Sequence, residues 1–170
     1  MKKFIVGWYV LYTRPRHEKK AATQLTKTGI DCFLPVTKTL HTWHDRKKYI
    51  DTPLFPSYIF VHLKSSEEYF RGLNLDGVLH YIRSGKEIAR VSDKIIDDIR
   101  MAIQFGKNIE VSIEQFQPGQ QLTIRQGLLT GHSCEIVEFK GKKNILVRVN
   151  LLQRNILVSL PSEHLTTFPA

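Results

Sequence analysis

The chain has 170 residues, of which 42% are hydrophobic and 24% charged, and it carries a formal net charge of +9. This composition is typical of a globular protein with one ordinary or two small domains, and no apolar stretch approaches the roughly 20 residues needed to cross a bilayer. The N-terminus lacks the small-residue cleavage pattern of a signal peptide, so we expect a cytoplasmic protein. The positive charge favours a polyanionic partner. It is concentrated in residues 1–106, which have 18 Lys and Arg against 11 Asp and Glu, whereas residues 107–170 have 7 against 5.

The first predicted elements are a strand, a helix and a second strand. Residues 8–12 are aromatic and β-branched, which favours a strand. Pro15 suits the first turn of a helix and Gly29 suits its end. Between them, apolar residues recur at helical spacing and the basic residues fall on another face. Residues 30–35 are again typical of a strand.

The segment 36–52 is polar and basic with Trp43 in its middle. This pattern predicts either a hairpin or a mobile loop. The strongest strand pattern of the chain follows at residues 57–63.

Two further helices are predicted around another strand. Ser65 and Glu68 have the S-x-x-E spacing of a capping box, which predicts the start of a short helix. Residues 77–82 are typical of a strand, and Ser92 can cap a long helix whose apolar residues recur on one face. This order of elements predicts an α+β sandwich, in which helices pack on an antiparallel sheet.

The remainder of the chain is predicted to be all-β. Residues 107–117 contain few structural signals and are interpreted as a linker. From Pro118 onward, short strands alternate with turns, which is typical of a small β-barrel. The predicted domains are therefore residues 1–106, an α/β sandwich, and residues 118–170, a small barrel.

Several segments of the chain together resemble one known protein family. In the first domain the resemblance is carried by Trp8-Tyr9-Val10-Leu11-Tyr12, by Pro53-Leu54-Phe55-Pro56-Ser57-Tyr58-Ile59-Phe60-Val61 and by Gly77-Val78-Leu79-His80-Tyr81-Ile82. In the second domain, residues 124–131 resemble the core of the KOW motif. Together, these segments resemble the NusG family of transcription factors. The resemblance implies a NusG N-terminal (NGN) domain followed by a KOW β-barrel. Pro53–Pro56, Ser57 and the stretch 45–48 are more similar to specialised, operon-restricted paralogs of the RfaH and UpxY type than to the general factor.

The resemblance also implies a docking site for RNA polymerase. Phe55, Pro56, Tyr58 and Tyr81 match family positions that line an apolar depression, which receives the clamp helices of the polymerase β′ subunit. A few aromatic anchors in a desolvated pocket commonly dominate an interface. The residues alone favour the alternative that these aromatics belong to the core. Strand alternation puts Tyr58 on the opposite face from its neighbours, so the strand cannot be buried in one core only.

Two basic segments are predicted to bind nucleic acid. They comprise Arg14, Arg16, His17, Lys19 and Lys20 at the start of the first helix, and Trp43, Arg46, Lys47 and Lys48 in the segment 36–52. Cations in the first turn oppose the helix macrodipole, which indicates a binding face, with a solvated charged face as the alternative. Aromatics interleaved with cations suit single-stranded nucleic acid, with a hairpin whose tryptophan packs inward as the alternative. The resemblance implies the non-template DNA strand or nascent RNA as the ligand.

The predicted barrel contributes a third candidate surface. Its loop residues are Gly127, Gly131, Lys142 and Lys143. The resemblance implies that these loops meet ribosomal protein S10, Rho or nucleic acid. The residues alone favour ordinary turn chemistry.

Enzyme and metal chemistry find no support in the sequence. There is no G-x-S-x-G and no glycine-rich phosphate loop. His41 and His44 lack an evident third ligand, so we expect no metal site and no cofactor. Cys32 and Cys134 lie outside any C-x-x-C pattern and are expected to be buried. We expect a monomer without membrane association.

These observations predict a transcription elongation or antitermination factor. By the resemblance, it would bind the polymerase clamp helices and suppress pausing and termination on selected operons, such as those for polysaccharide biosynthesis. The alternative is a general RNA-binding or ribosome-associated KOW module. That alternative would require tight RNA binding by residues 107–170, where the net charge is small.

Overall fold

The structure is a computed structural model that describes residues 4–105, 108–123, 131 and 133–159. The chain forms two compact units, Met1–Asp93 and Lys94–Ala170. Within the described ranges, no helix combines the length and the apolarity needed to span a bilayer.

The first unit is an antiparallel sheet with two helices and two hairpins. Its elements in chain order are β1 (Gly7–Thr13), α1 (Glu18–Lys27), β2 (Asp31–Phe33), β3 (Val36–Thr42), β4 (Lys47–Pro53), β5 (Tyr58–Leu63), α2 (Ser66–Leu73), β6 (Val78–Tyr81), β7 (Arg83–Ser84), β8 (Glu87–Ile88) and β9 (Arg90–Val91). The sheet has the order β2-β5-β1-β6, and β9 also pairs with β1. β3 with β4, and β7 with β8, form separate two-stranded sheets. The segment 36–52 is therefore a hairpin, which was one of the two structures predicted for it.

The core of this unit lies between the sheet and the two helices. β1 and β5 pair with Leu11 opposite Ile59, so side chains of both strands reach the same face. α1 contributes Ala21 and Leu25, which are one turn apart and fully buried. The buried residues of this cluster, among those the structure describes, are Tyr9, Leu11, Ala21, Leu25, Ile30, Ile59, Val61, Leu63 and Tyr81. Each fully buried Leu or Ile in it stabilises the fold by roughly 1.5–3 kcal/mol.

α2 begins where the capping box predicts. The N–H of Glu68 donates to Ser65 Oγ at 3.3 Å, and the Glu68 carboxylate accepts from the N–H of Lys64 at 2.7 Å. Near its C-terminal end, Gly72 faces the hydroxyl of Tyr81 so closely that a Cβ would lie 2.5 Å from Oη. This close approach sets the distance between α2 and β6.

The second unit is a five-stranded antiparallel sheet with one helix. Its elements are α3 (Asp93–Phe105), β10 (Ile109–Ser112), β11 (Gln120–Thr123), β12 (Ser133–Phe139), β13 (Lys142–Val149), a 3₁₀ turn (Asn150–Leu152) and β14 (Arg154–Ser159). The strand order is β10-β14-β13-β12-β11. An α+β first unit followed by an all-antiparallel β segment agrees with the predicted fold class.

The observed organisation differs from the predicted boundaries in two ways. β10 lies inside the predicted linker 107–117 and pairs with β14, with Ile109 opposite Val158. The strand escaped prediction because it is short and its partner lies far along the chain. α3, which was predicted to belong to the first domain, groups with the second unit. Its residues Ile95 and Met101 line a cavity of about 230 Å³ together with Cys134.

A charged network ties the segment before β11 to the sheet. Arg148 makes two bonds to Glu135, from Nε at 2.9 Å and from Nη2 at 2.8 Å. The same guanidinium donates to the carbonyls of Phe116 and Gln117, both at 3.0 Å, and the N–H of Gly119 donates to Glu135 at 2.7 Å. The guanidinium of Arg148 holds the pKa of the Glu135 carboxyl below its usual range.

Candidate functional site

A row of three rings crosses the sheet on the face opposite α1 and α2. Tyr12 of β1 pairs across the sheet with Tyr58 of β5 and with His80 of β6. The Tyr12 ring centroid lies 5.3 Å from that of Tyr58 and 5.1 Å from that of His80. Tyr12 and Tyr58 are half-buried and His80 is exposed. We call Tyr12, Tyr58 and His80 the aromatic row; it presents ring surface and one imidazole to solvent.

The turn that precedes β5 leads directly into the aromatic row at Tyr58. Phe55 is buried, with 2% of its surface exposed, and packs edge-on against Phe60 with 6.2 Å between ring centroids. Pro56 is exposed beside it. Ser57 has a φ of 70°, a left-handed value that favours glycine. In this segment Phe55 is therefore a buried packing residue, whereas Pro56 and Tyr58 remain accessible.

Tyr81 does not belong to this surface. It pairs with Leu11, whose side chain lies in the core beneath α1 and α2, and only 2% of Tyr81 is exposed. Its ring stacks on Tyr69 at 4.5 Å and its hydroxyl donates to the Tyr69 carbonyl at 3.2 Å. Burial raises the pKa of this phenol. The prediction that Tyr81 shares an open depression with Phe55 and Tyr58 was wrong, because the register of β6 turns it to the opposite face.

The first basic segment starts before the helix and not within it. α1 begins at Glu18, so Arg14 and Arg16 precede the first turn. Glu18 is only 5% exposed and accepts a hydrogen bond from the N–H of Ser57 at 2.7 Å. An acidic residue thus occupies the first turn, as the macrodipole favours. The prediction that Arg14 and Arg16 begin this helix was therefore wrong, whereas Lys19 and Lys20 do lie in its first turn.

The cations of this segment differ in their surroundings. Lys19 Nζ donates to the carbonyl of Asp51 at 2.6 Å. Lys20 Nζ lies 2.5 Å from Asp76 Oδ2, and this bond holds the pKa of Asp76 below its usual range. The side chains of Arg14 and Arg16 are exposed.

His17, the remaining residue of the predicted basic site, is half-buried against Gly77. A Cβ at Gly77 would lie 2.7 Å from the His17 ring, so only glycine fits there. His17 therefore has a packing role at the base of this segment.

The second basic segment is the β3–β4 hairpin. Its turn is closed by the N–H of Trp43 donating to the carbonyl of Arg46 at 2.8 Å. Trp43 is 44% exposed, which does not fit the alternative that it packs inward. Lys47 and Lys48 are exposed, as are all residues from 38 to 49. The hairpin thus brings together the aromatic and basic residues predicted for it.

The predicted loop residues of the second unit are only partly described. Gly127 lies outside the described residues. Gly131 is in a turn with a φ of 88°. Lys142 and Lys143 are exposed at the start of β13, after a turn in which Lys140 has positive φ. This geometry fits ordinary turn chemistry.

The two cysteines have different environments. Cys134 is buried, as expected, and burial raises the pKa of its thiol to about 11. Cys32 is half-buried and both are free thiols. Among the described residues, no group of three His, Cys, Asp or Glu side chains could hold a metal ion.

Three residues described above were not predicted from the sequence as parts of a site: Tyr12, His80 and Glu18. The rings of Tyr12 and His80 could have been found from strand alternation. With β1 in the centre of the sheet, Tyr12 lies opposite Tyr58, and His80 lies opposite Tyr12. Glu18 carried no local signal, because its partner is a backbone N–H 39 residues away.

The chain is similar in sequence and in structure to known proteins of one family. Residues 7–100 match the family described as "Transcription termination factor nusG". The transcription termination/antitermination protein NusG of Halalkalibacterium halodurans is 22% identical over 167 residues, which cover 91% of this chain and 94% of that protein. The solved structure titled "Domain interaction in Thermotoga maritima NusG" is similar with a TM-score of 0.53 and 21% identity, covering 94% of this chain and 96% of that one. The family match spans more than half of the chain, and the structural match supports the same fold.

Proposed function

Since this chain belongs to the NusG family of transcription factors, we propose that it is an elongation and antitermination factor that docks on the clamp helices of the RNA polymerase β′ subunit. A role in transcription elongation or termination follows from the family. The docking site, the selected operons and the direction of the effect are our proposals.

The aromatic row is the observation that carries the proposal. Tyr12, Tyr58 and His80 lie side by side and keep part of their ring surface accessible. Pro56, two residues before Tyr58, is also exposed, and Phe55 is buried. A short helical tip could bury these rings in one contact, and buried aromatic anchors commonly dominate such interfaces.

The proposed mechanism requires no chemistry by the factor. A protein that binds one conformation of the polymerase more tightly shifts the equilibrium toward that conformation. Holding the clamp closed would disfavour the paused state and so suppress pausing and termination. NusG-family proteins are transcription factors and not enzymes, which fits this mode of action.

We propose that the basic segments add contacts to the nucleic acid of the transcription complex. Arg14 and Arg16 are exposed, and the hairpin adds Arg46, Lys47 and Lys48. Phosphate contacts of this kind give affinity that depends on salt but not on sequence. The ligand would be the non-template DNA strand or the nascent RNA.

The second unit is less suited to be the main reader of nucleic acid. Arg148 is engaged by Glu135, and Lys140 lies 2.9 Å from Glu110. Lys142 and Lys143 remain exposed. We therefore propose that this unit serves protein contacts, with ribosomal protein S10 or Rho as candidates, and we do not favour the general RNA-binding module.

Restriction to selected operons is supported only by residues of the first unit. Ser57 occupies a left-handed position that favours glycine, and Glu18 binds its N–H. Such a strained residue persists only where surrounding contacts hold it. We propose that this feature belongs to a specialised paralog.

Transcription in vitro with purified RNA polymerase tests the proposal. On leader templates of candidate operons, the wild-type protein is expected to shorten pauses and increase read-through. The double variant Tyr12→Ala/Tyr58→Ala should lose this effect while circular dichroism shows an intact fold. Phe70→Ala is the matched control, because Phe70 is a 60% exposed aromatic on α2. Retained activity of the double variant, or no effect of the wild type on any template, would reject the proposal.

A further inference from the structure

The tip of the β3–β4 hairpin has a geometry that general charge contacts do not require. Trp43 is the first residue of the closed turn and keeps 44% of its surface exposed. The His41 ring stacks near it, with 5.9 Å between centroids and 29° between planes. The guanidinium carbon of Arg46 lies 5.6 Å from the Trp43 centroid. The indole is thus held in orientation by two neighbours.

The charge around this indole is arranged for an anionic strand. Arg46, Lys47 and Lys48 follow Trp43 in sequence, against one acid, Asp45, in the turn. Lys48 lies opposite His41 in the hairpin, and Lys47 lies opposite Thr42. Since side chains alternate between the two faces of a strand, Lys48 shares the face of His41 and Trp43, whereas Lys47 lies on the other face. Arg46 and Lys48 are therefore the cations on the face that a stacked base and its phosphates would approach.

We propose that Trp43 is a stacking platform for one unpaired nucleobase, with Arg46 and Lys48 pairing with the flanking phosphates. The ring face of a base is covered in a duplex and accessible only in a single strand. The hairpin therefore selects single-stranded over double-stranded nucleic acid. This inference rests on the proposed function only for the source of the strand, which is the transcription bubble.

The chain offers a direct spectroscopic test, because it has two tryptophans. In a Trp8→Phe variant of the full chain, all indole emission comes from Trp43. Titration with an eight-nucleotide oligothymidylate, and separately with oligouridylate, is expected to quench this emission in a saturable manner. An abasic oligomer of the same length keeps the phosphates but lacks the bases, so it should bind without quenching and about tenfold more weakly.

Two substitutions in the same hairpin separate stacking from charge. Trp43→Leu should weaken binding of oligothymidylate about tenfold, measured by fluorescence anisotropy of a labelled oligomer. Tyr49→Leu is the matched control, because Tyr49 is 66% exposed and pairs with Leu40 on the other face of the hairpin. It should leave the affinity unchanged. Preference for the DNA or the RNA oligomer identifies the strand that supplies the base, and either one supports the inference.

Three results would overturn the inference: equal quenching by the abasic oligomer, equal affinity for a duplex, or unchanged affinity of Trp43→Leu. Failure of the proposed function is measured separately. The proposed function fails if Tyr12→Ala/Tyr58→Ala keeps polymerase binding, and the oligomer assays, which use the protein alone, do not depend on that result.

Discussion

Substitution of Tyr81 distinguishes a core residue from an interface residue. Tyr81 is 2% exposed, stacks on Tyr69 and donates a hydrogen bond to its carbonyl. Truncation of a buried aromatic to alanine costs about 3–5 kcal/mol, and this hydrogen bond contributes about 1 kcal/mol. Tyr81→Ala should therefore lower the free energy of unfolding by about 4 kcal/mol, a large part of the roughly 5–15 kcal/mol available to a domain.

The assay is urea denaturation followed by circular dichroism, with Tyr81→Phe as the matched variant. Tyr81→Phe keeps the ring and loses only the hydrogen bond, so its cost should be about 1 kcal/mol. In polymerase binding, folded Tyr81→Phe should match the wild type. If Tyr81→Ala keeps wild-type stability but loses polymerase binding, Tyr81 is an exposed anchor and the placement of β6 is wrong.

Three further outcomes follow from other contacts. Arg148 lowers the pKa of Glu135 in the folded state, so this pair stabilises the second unit above the unfolded-state pKa of about 4.3. That stabilisation is lost as pH falls through the folded-state pKa, and Glu135→Gln should flatten the acid limb of stability against pH. The thiol of Cys134, with its pKa raised to about 11, should react with iodoacetamide more slowly than that of half-buried Cys32 at pH 8, as mass spectrometry can follow. Ser57→Gly should raise the free energy of unfolding by about 0.5–1 kcal/mol, because φ is 70° at this position; a urea midpoint below that of the wild type would contradict this reason.

The elements that local patterns predict well are those with their signals within a few residues. The capping box located the start of α2 because its two bonds are local. Ser65 Oγ accepts from the N–H of Glu68, and the Glu68 carboxylate accepts from the N–H of Lys64. Alternation predicted that Tyr58 and Ile59 lie on opposite faces of β5, as the structure has them.

The features that sequence reasoning missed depend on partners far along the chain. The register of β6 on β1 decides whether His80 or Tyr81 belongs to the aromatic row. This register has an irregularity between Tyr12 and Thr13. The buried bond between Glu18 and Ser57 joins residues 39 apart. A family resemblance supplies a list of positions, but only the register decides which of them share a surface.

The central claim is that the aromatic row is the surface that attaches the factor to RNA polymerase. Its most direct test is the affinity of fluorescently labelled full-length protein for core polymerase. Wild type and Phe70→Ala should bind equally, and Tyr12→Ala/Tyr58→Ala should bind at least tenfold more weakly, since loss of anchor residues commonly costs about 2 kcal/mol or more. Equal affinity of the folded double variant and the wild type would contradict the account.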